Sequence, residues 1–168
     1  MKLKQIKLLA CDVDWIFSNG RIYIWQNGQE RKAFNIRYGC RIEVLQKISV
    51  QIIAINGRKF NMVEQCMTAL GMRHIYQGCE DKQLALQAIQ KKLSVAVSET
   101  AVIGDDTSDL DTFQVPQFNI CVQDNHPILA PQAHYKTGTK GGFGAVSELC
   151  DLIFLTNGQL DTIHGASI

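Results

Sequence analysis

Two aspartates one residue apart, Asp12 and Asp14, end the apolar run LLACDVD, and a second acidic group, Asp105, Asp106 and Asp109, follows in IGDDTSDL. Between them lie the tripeptide Asn56-Gly57-Arg58 and Lys82. Carboxylates brought close together repel, and they ionise together only where a cation compensates them. A lysine is one such cation. Mg²⁺ is another, an oxygen-seeking ion held by a few carboxylates together with phosphate. Taken singly, Asp12 or Asp105 reads as a strand-end turn or a helix cap, and Arg58 or Lys82 as a solvated charge. As an ordered set they point to phosphate chemistry at a metal.

The chain must supply elements that bring these loops together. Short apolar runs alternate with longer amphipathic ones, the pattern of βαβ units around a mainly parallel sheet with helices on both faces. The runs Ile6–Cys11, Val50–Ile55, Ala101–Ile103 and Phe118–Val122 predict core strands, with a short one near His74–Tyr76. Helical spacing covers Gly39–Ile48, Asn61–Leu70, Lys82–Leu93, Ser108–Phe113 and Gly144–Asn157, and Gly71 suits a helix stop. An open parallel sheet places its ligands beyond the carboxyl ends of its strands, where the acidic loops and Asn56 fall.

Residues 20–34, GRIYIWQNGQERKAF, break the alternation and read as a β-hairpin turning at Asn27-Gly28. Its exposed edge and the aromatics Tyr23 and Trp25 suit cover by a partner subunit, the alternative being a hairpin packed on its own domain. The 168 residues, 46% of them hydrophobic, fit one domain with a full core, residues 1–168, with a C-terminal tail from about 158. A net charge of +1 without a basic face argues against nucleic acid and anionic membrane as partners. Six cysteines, Cys11, Cys40, Cys66, Cys79, Cys121 and Cys150, have neither zinc nor disulfide-framework spacing, and the four histidines, His74, His126, His134 and His164, share no metal spacing. Reduced thiols and an N-terminus with too short an apolar stretch for a leader predict a cytoplasmic protein.

The order resembles that of the haloacid dehalogenase superfamily: DxD after the first strand, a small hydroxyl residue after the second, where Asn56 stands here, a lysine, then an acidic pair. The hairpin followed by KAFNIRYG, then NGR, IYQGCEDK, IGDDTSDL, NHP and GGFGAVSELCDLI resemble, over essentially the whole chain, the 3-deoxy-D-manno-octulosonate 8-phosphate phosphatase family. That resemblance implies a capless Rossmann-like α/β domain that hydrolyses a small sugar phosphate with Mg²⁺ and assembles as a homotetramer whose hairpins and C-terminal tails roof neighbouring sites. It implies Asp12 as nucleophile, Asp14 as acid and base, and Lys82 as the charge-compensating cation. Mg²⁺ would be held by Asp12, the Asp14 carbonyl and Asp105, with Asp106 or Asp109 in support. Asn35, Ile36, Arg37, Tyr38, Gly39, Asn56, Gly57 and Arg58, with Asp14 and Lys82, would contact substrate. For Asp109 a second reading stays open, that it holds the first turn of a helix.

The chain departs from the family pattern at several positions. Trp15 replaces a glycine, Asn56 a threonine or serine, and Tyr38 the aspartate of RDG; Glu43 and Cys66 stand where arginines engage an acidic sugar, and Phe143 stands for a basic residue. The groups for phosphate and metal are kept, whereas those for an anionic sugar are altered. Phe143 and the tail from Thr139 onward read either as closing elements or as a glycine loop leading into the last helix. A diverged relative that only binds a ligand or partner is the competing reading. A signalling receiver fits poorly, since its phosphorylated aspartate should end a middle strand where Asn56 stands.

Overall fold

The computed structural model describes residues 2–114 and 118–158. Six strands, β1 Leu8–Cys11, β4 Gln51–Asn56, β5 His74–Gln77, β6 Thr100–Gly104, β7 Phe118–Cys121 and β8 Tyr135–Lys136, form one parallel sheet ordered β5-β4-β1-β6-β7-β8. The central strands β1 and β6 are buried along their whole length. Burial on both faces is why they read as unbroken apolar runs rather than as alternating ones. Their side chains still alternate in direction, and so the core has two halves. Leu9, Cys11, Ile52, Ala54 and Ile103 face α1 Tyr38–Lys47, α2 Asn61–Ala69 and α4 Ala145–Asn157. Leu8, Ala10, Ile53, Ile55 and Val102 face α3 Lys82–Leu93 through Leu86 and Ile89.

The helix α3 carries Lys82, Leu86, Ile89 and Gln90 on its buried stripe, the spacing of one helical face. Asp81 caps it by accepting from the Leu84 N–H at 2.9 Å. Lys82 is thus the first inward-facing residue of a capped helix, which brings its ammonium to the carboxyl end of the sheet. Gly71 follows α2 in the left-handed region, as its position predicts.

One expectation is corrected, one strand is added and one turn is defined more closely. No α-helix spans Ser108–Phe113; two 3₁₀ turns, Thr107–Asp109 and Thr112–Gln114, stand there. The Asp106 side chain accepts from the Thr107 N–H, that of Asp109 from the N–H groups of Asp105 and Asp106, and the Thr112 hydroxyl bonds the Asp109 carbonyl. Side chains competing this strongly for backbone groups keep the segment in tight turns. The edge strand β8 was not expected, since two residues carry no period. The hairpin is real but short, pairing β2 Tyr23–Ile24 with β3 Glu30–Arg31. At its tip only Gly28 has positive φ, the Gly28 N–H bonds the Trp25 carbonyl and the Trp25 N–H bonds the Gln29 carbonyl, a three-residue loop with a glycine bulge.

The hairpin strands are exposed, while Phe34, just beyond them, packs against the core. The segment 138–144 is held rather than free. Its Gly138 and Thr139 N–H groups and the Thr139 hydroxyl bond the Glu148 carboxylate, which also accepts from the Tyr135 hydroxyl at 2.7 Å. The same segment lies so close to the loop after Asp14 that a side chain at Gly141 would collide with the Trp15 carbonyl oxygen. These contacts favour the reading of a glycine loop leading into α4. The tail expected from about 158 and His164 lie outside the described residues, Gly158 excepted. Among the described residues no helix is long and apolar enough to cross a membrane.

Candidate active site

Three adjacent strands, β4, β1 and β6, end side by side, with Cys11 in register with Ala54 on one flank and Ile103 on the other. Asn56 closes β4, Asp12 follows β1, and Asp105 follows β6. The Asp12 N–H bonds the Ile103 carbonyl at 3.2 Å and continues the ladder to Asp12 itself. A cleft of about 340 Å³ opens there, lined by Asp12, Asp14, Asn56, Gly57, Arg58, Lys82, Asp105 and Asp106, together with Trp15, Gly20, Ile22, Lys32 and Ser108. A larger cleft, about 570 Å³, sits around Lys4, Lys7, Ser49 and Glu99 at the opposite strand ends. Its one acid, Glu99, is already paired with Lys7 at 2.5 Å, and the acidic loops converge on the smaller cleft.

Asp12, Asp105 and Lys82 are buried in the smaller cleft, Asp109 is buried directly behind Lys82, and a second ammonium, that of Lys32, is paired with Asp14. The Lys82 Nζ stands 2.7 Å from Asp109 Oδ1, 3.0 Å from Asp12 Oδ1 and 3.4 Å from Ser108 Oγ. The other oxygen of Asp109 accepts from the Asp105 N–H at 3.0 Å and, more weakly, from the Asp106 N–H. Asp109 is therefore fully engaged, both as the anchor of Lys82 and as the cap of its own turn, so its two readings hold together. Asp12, Asp105 and Asp109 each bring a carboxylate oxygen within 4.8 Å of the others. Only Asp12 and Asp105 have oxygens to spare.

Three carboxylates against one ammonium leave an excess of two negative charges. Burial, with Asp109 nearby, pushes the Asp12 carboxyl up to about 7 despite the opposing pull of Lys82. Burial, with Asp12 and Asp109, pushes that of Asp105 up to about 9. Burial works against the Lys82 charge, yet Asp12 and Asp109 outweigh it and raise the ammonium above its ordinary value. The buried Asp105 Oδ1 has no hydrogen-bond partner, and Asp12 Oδ1, although beside Lys82, lies off the hydrogen-bond direction. Two under-satisfied carboxylate oxygens and an excess charge of two fit a small divalent cation that also takes phosphate oxygens. Asn56 Nδ2 is likewise buried without a partner, a donor suited to a phosphoryl oxygen.

The structure does not bring Asn35, Ile36, Arg37, Tyr38 and Gly39 to this cleft. Tyr38 is wholly buried, edge-on to Phe17 at 5.5 Å, with its hydroxyl accepting from the Gly144 N–H; Ile36 is 83% exposed and Arg37 is exposed. Glu43 is paired on the surface with Lys47, Cys66 sits half-buried on α2, and Phe143 is exposed, so these three departures also lie outside the cleft. Trp15 sits on its rim, 48% exposed, with φ of 64° and its ring against Gly20. That backbone conformation is the one glycine favours, which explains the family preference. The indole borders the cleft and leaves it open.

Sequence reading missed Lys32 and Ser108. Lys32 lies in the hairpin, where nothing in the local pattern marks it for burial. Ser108 sits in the acidic loop and had a signal in its closeness to Asp105. The NHP motif works through its backbone, the His126 N–H bonding the Asp105 carbonyl at 2.7 Å.

Comparison with known proteins gives the family. A family model of haloacid dehalogenase-like hydrolases matches residues 26–149. The 3-deoxy-D-manno-octulosonate 8-phosphate phosphatase of Escherichia coli K12 is 41% identical over 167 residues, 99% of this chain and 89% of that protein. The crystal structure of the Yersinia pestis phosphatase of the same name has a TM-score of 0.92 at 39% identity, covering 99% of this chain and 88% of that one. That of the Moraxella catarrhalis phosphatase, in complex with magnesium, phosphate and KDO, has a TM-score of 0.92 at 37% identity, covering 97% and 94%. The chain belongs to the haloacid dehalogenase-like hydrolases and, within them, to the 3-deoxy-D-manno-octulosonate 8-phosphate phosphatase family.

Proposed function

We propose that this chain is a Mg²⁺-dependent phosphatase that removes phosphate from a small sugar phosphate, nominally 3-deoxy-D-manno-octulosonate 8-phosphate, through an aspartyl-phosphate. One observation carries the reading: around a single cleft, Asp12 and Asp105 hold under-satisfied carboxylate oxygens and Asn56 an unpartnered amide, next to an ammonium already fixed by Asp109. The Asp12 carboxylate attacks phosphorus, forming an acyl-phosphate bond as the ester P–O bond breaks. Asp14 delivers a proton to the departing alkoxide, then takes one from the water that cleaves the acyl phosphate and frees Asp12. Lys82 and Asn56 stabilise the phosphoryl oxygens, and Arg58, exposed at the mouth, meets the rest of the anion. Mg²⁺, bound by Asp12 and Asp105 with the Asp14 carbonyl, would neutralise charge on nucleophile and phosphoryl group.

The cleft takes a small ester, with neither nucleic acid nor membrane as partner, in a cytoplasmic single-domain protein. The hairpin, with Ile24 and Trp25 exposed, supports a homotetramer in which neighbours cover it. Phosphate release from a panel of sugar phosphates, with and without chelator and with Asp12→Asn as control, tests the assignment. Mg²⁺-dependent release abolished by D12N is expected. Release that persists in D12N removes Asp12 as nucleophile, and Mg²⁺ binding without turnover on any ester supports the binding-protein reading instead.

A further inference from the structure

Lys32 is an anomaly of the hairpin. The strands before it are exposed, yet its side chain is 4% exposed and its Nζ stands 2.6 Å from Asp14 Oδ1. The ammonium lies 4.3 Å from the Phe60 ring centroid, and the Lys32 N–H bonds Met62 Sδ. Phe60 is in turn fixed through its own N–H to Gln77 Oε1 at 2.9 Å. A chain of contacts therefore runs from β5 through the β4–α2 loop and the hairpin to the carboxylate beside the nucleophile. Lys32 is the one partner of the Asp14 carboxylate among the described residues.

A hairpin does not need a buried lysine to fold. Immobilising a four-carbon stem and desolvating an ammonium are both costly, and the surface pair Lys47–Glu43, about two-thirds exposed, shows the usual solution. The carboxylate concerned is the one whose direction matters, because proton transfer to a departing oxygen requires hydrogen-bond reach. Next to Asp12 and the Mg²⁺ donors, an unrestrained Asp14 would have competing attractions. A cation on its far oxygen leaves the other oxygen for the leaving group.

We propose that Lys32 is a positioning residue for the reaction, holding Asp14 in the orientation that serves the leaving-group oxygen and making the hairpin part of the catalytic apparatus. This rests on the role given to Asp14 under Proposed function. The test follows leaving-group release in a single turnover, before water attacks with the help of Asp14, from a sugar phosphate, whose alkoxide needs a proton to leave, and from p-nitrophenyl phosphate, whose phenolate does not. Lys32→Met should lower the single-turnover rate on the sugar phosphate by about 10²-fold, the cost of misplacing a reacting group by an ångström. Substrate affinity should change little and single-turnover release from the aryl ester should remain nearly intact, the same selective first-step pattern as Asp14→Asn. Lys32→Arg should restore most of the loss, and Phe60→Leu, which removes the ring beside the ammonium, should give a smaller loss in the same direction even if K32M folds poorly. Equal loss on both esters, or no loss on either, overturns the proposal, as does a selective pattern in D14N that neither Lys32→Met nor Phe60→Leu shares. A wild-type protein inactive on both esters overturns it together with the phosphatase reading.

Discussion

Replacing Trp15 by glycine and by alanine separates the effect of its backbone from that of its ring. Trp15 has φ of 64°, a left-handed conformation that costs a residue with a Cβ about 1–2 kcal/mol. Its ring is about half covered, so truncation exposes on the order of 100 Å² of apolar surface, roughly 2.5 kcal/mol, in both variants. Alanine keeps the strain. Glycine relieves it but adds unfolded-chain entropy of about 0.5–1 kcal/mol. Trp15→Gly should therefore be destabilised by about 2 kcal/mol and Trp15→Ala by somewhat more, with glycine the more stable of the two by up to about 1.5 kcal/mol. At an ordinary loop position the order is reversed, since glycine is normally the less stable. Urea unfolding followed by far-UV circular dichroism, compared at equal m, measures the difference. An alanine variant as stable as glycine, or more so, refutes the account of this loop.

Asp109→Asn keeps the shape of the side chain but removes the charge that holds Lys82, and a loss of about 3 kcal/mol in urea unfolding together with a collapse of turnover is expected. Mg²⁺ should stabilise the protein increasingly as pH rises. The raised Asp12 and Asp105 carboxyls, near 7 and 9, retain protons that the unfolded chain releases above about 4. Stability without the ion consequently falls as pH climbs through that window, and thermal shifts with and without MgCl₂ should diverge across it; a constant gap contradicts the charge balance drawn for the site. Glu148→Gln should cost about 1–3 kcal/mol by weakening the bonds that tie 138–139 to α4. Burial opposes the Glu148 charge, but the Thr139 hydroxyl, the Gly138 and Thr139 N–H groups and the Tyr135 hydroxyl outweigh it, lowering the carboxyl below its usual range. Its contribution is present above the ordinary glutamate range and disappears as pH falls through the lowered value, so the deficit of the variant should shrink in acid.

The central strands were legible because a strand buried on both faces leaves an apolar run, as in LLAC and QIIAI, and the reactive residues follow directly where those runs stop. Lys82 was legible as the first residue of a helix with a clear inward stripe. Tyr135–Lys136 was not, being held by its neighbour β7 rather than by any pattern of its own. The segment 108–113 looked helical because spacing does not show side chains that capture their own backbone. The turn at Asn27-Gly28 announced a hairpin but not its loop, since one positive φ suffices for a bulged turn. Lys32 was hidden for a different reason: its burial is set by Phe60, 28 positions further on. Tyr38 sits in a stretch matched to a substrate loop, yet Phe17 and Gly144 take it into the core.

The docking of residues 141–144 onto the loop after Asp14 has a consequence for how the protein matures. The Gly142 N–H bonds the Ile16 carbonyl at 2.9 Å, and the Gly144 N–H reaches the Tyr38 hydroxyl across 106 positions of sequence. A chain emerging from the ribosome has made every acid of the cleft by residue 109, but not the segment that props the loop after Asp14. Contacts of such separation form slowly because a long loop must close first. Catalytic competence therefore arrives late in folding, and refolding followed by activity should lag refolding followed by secondary structure.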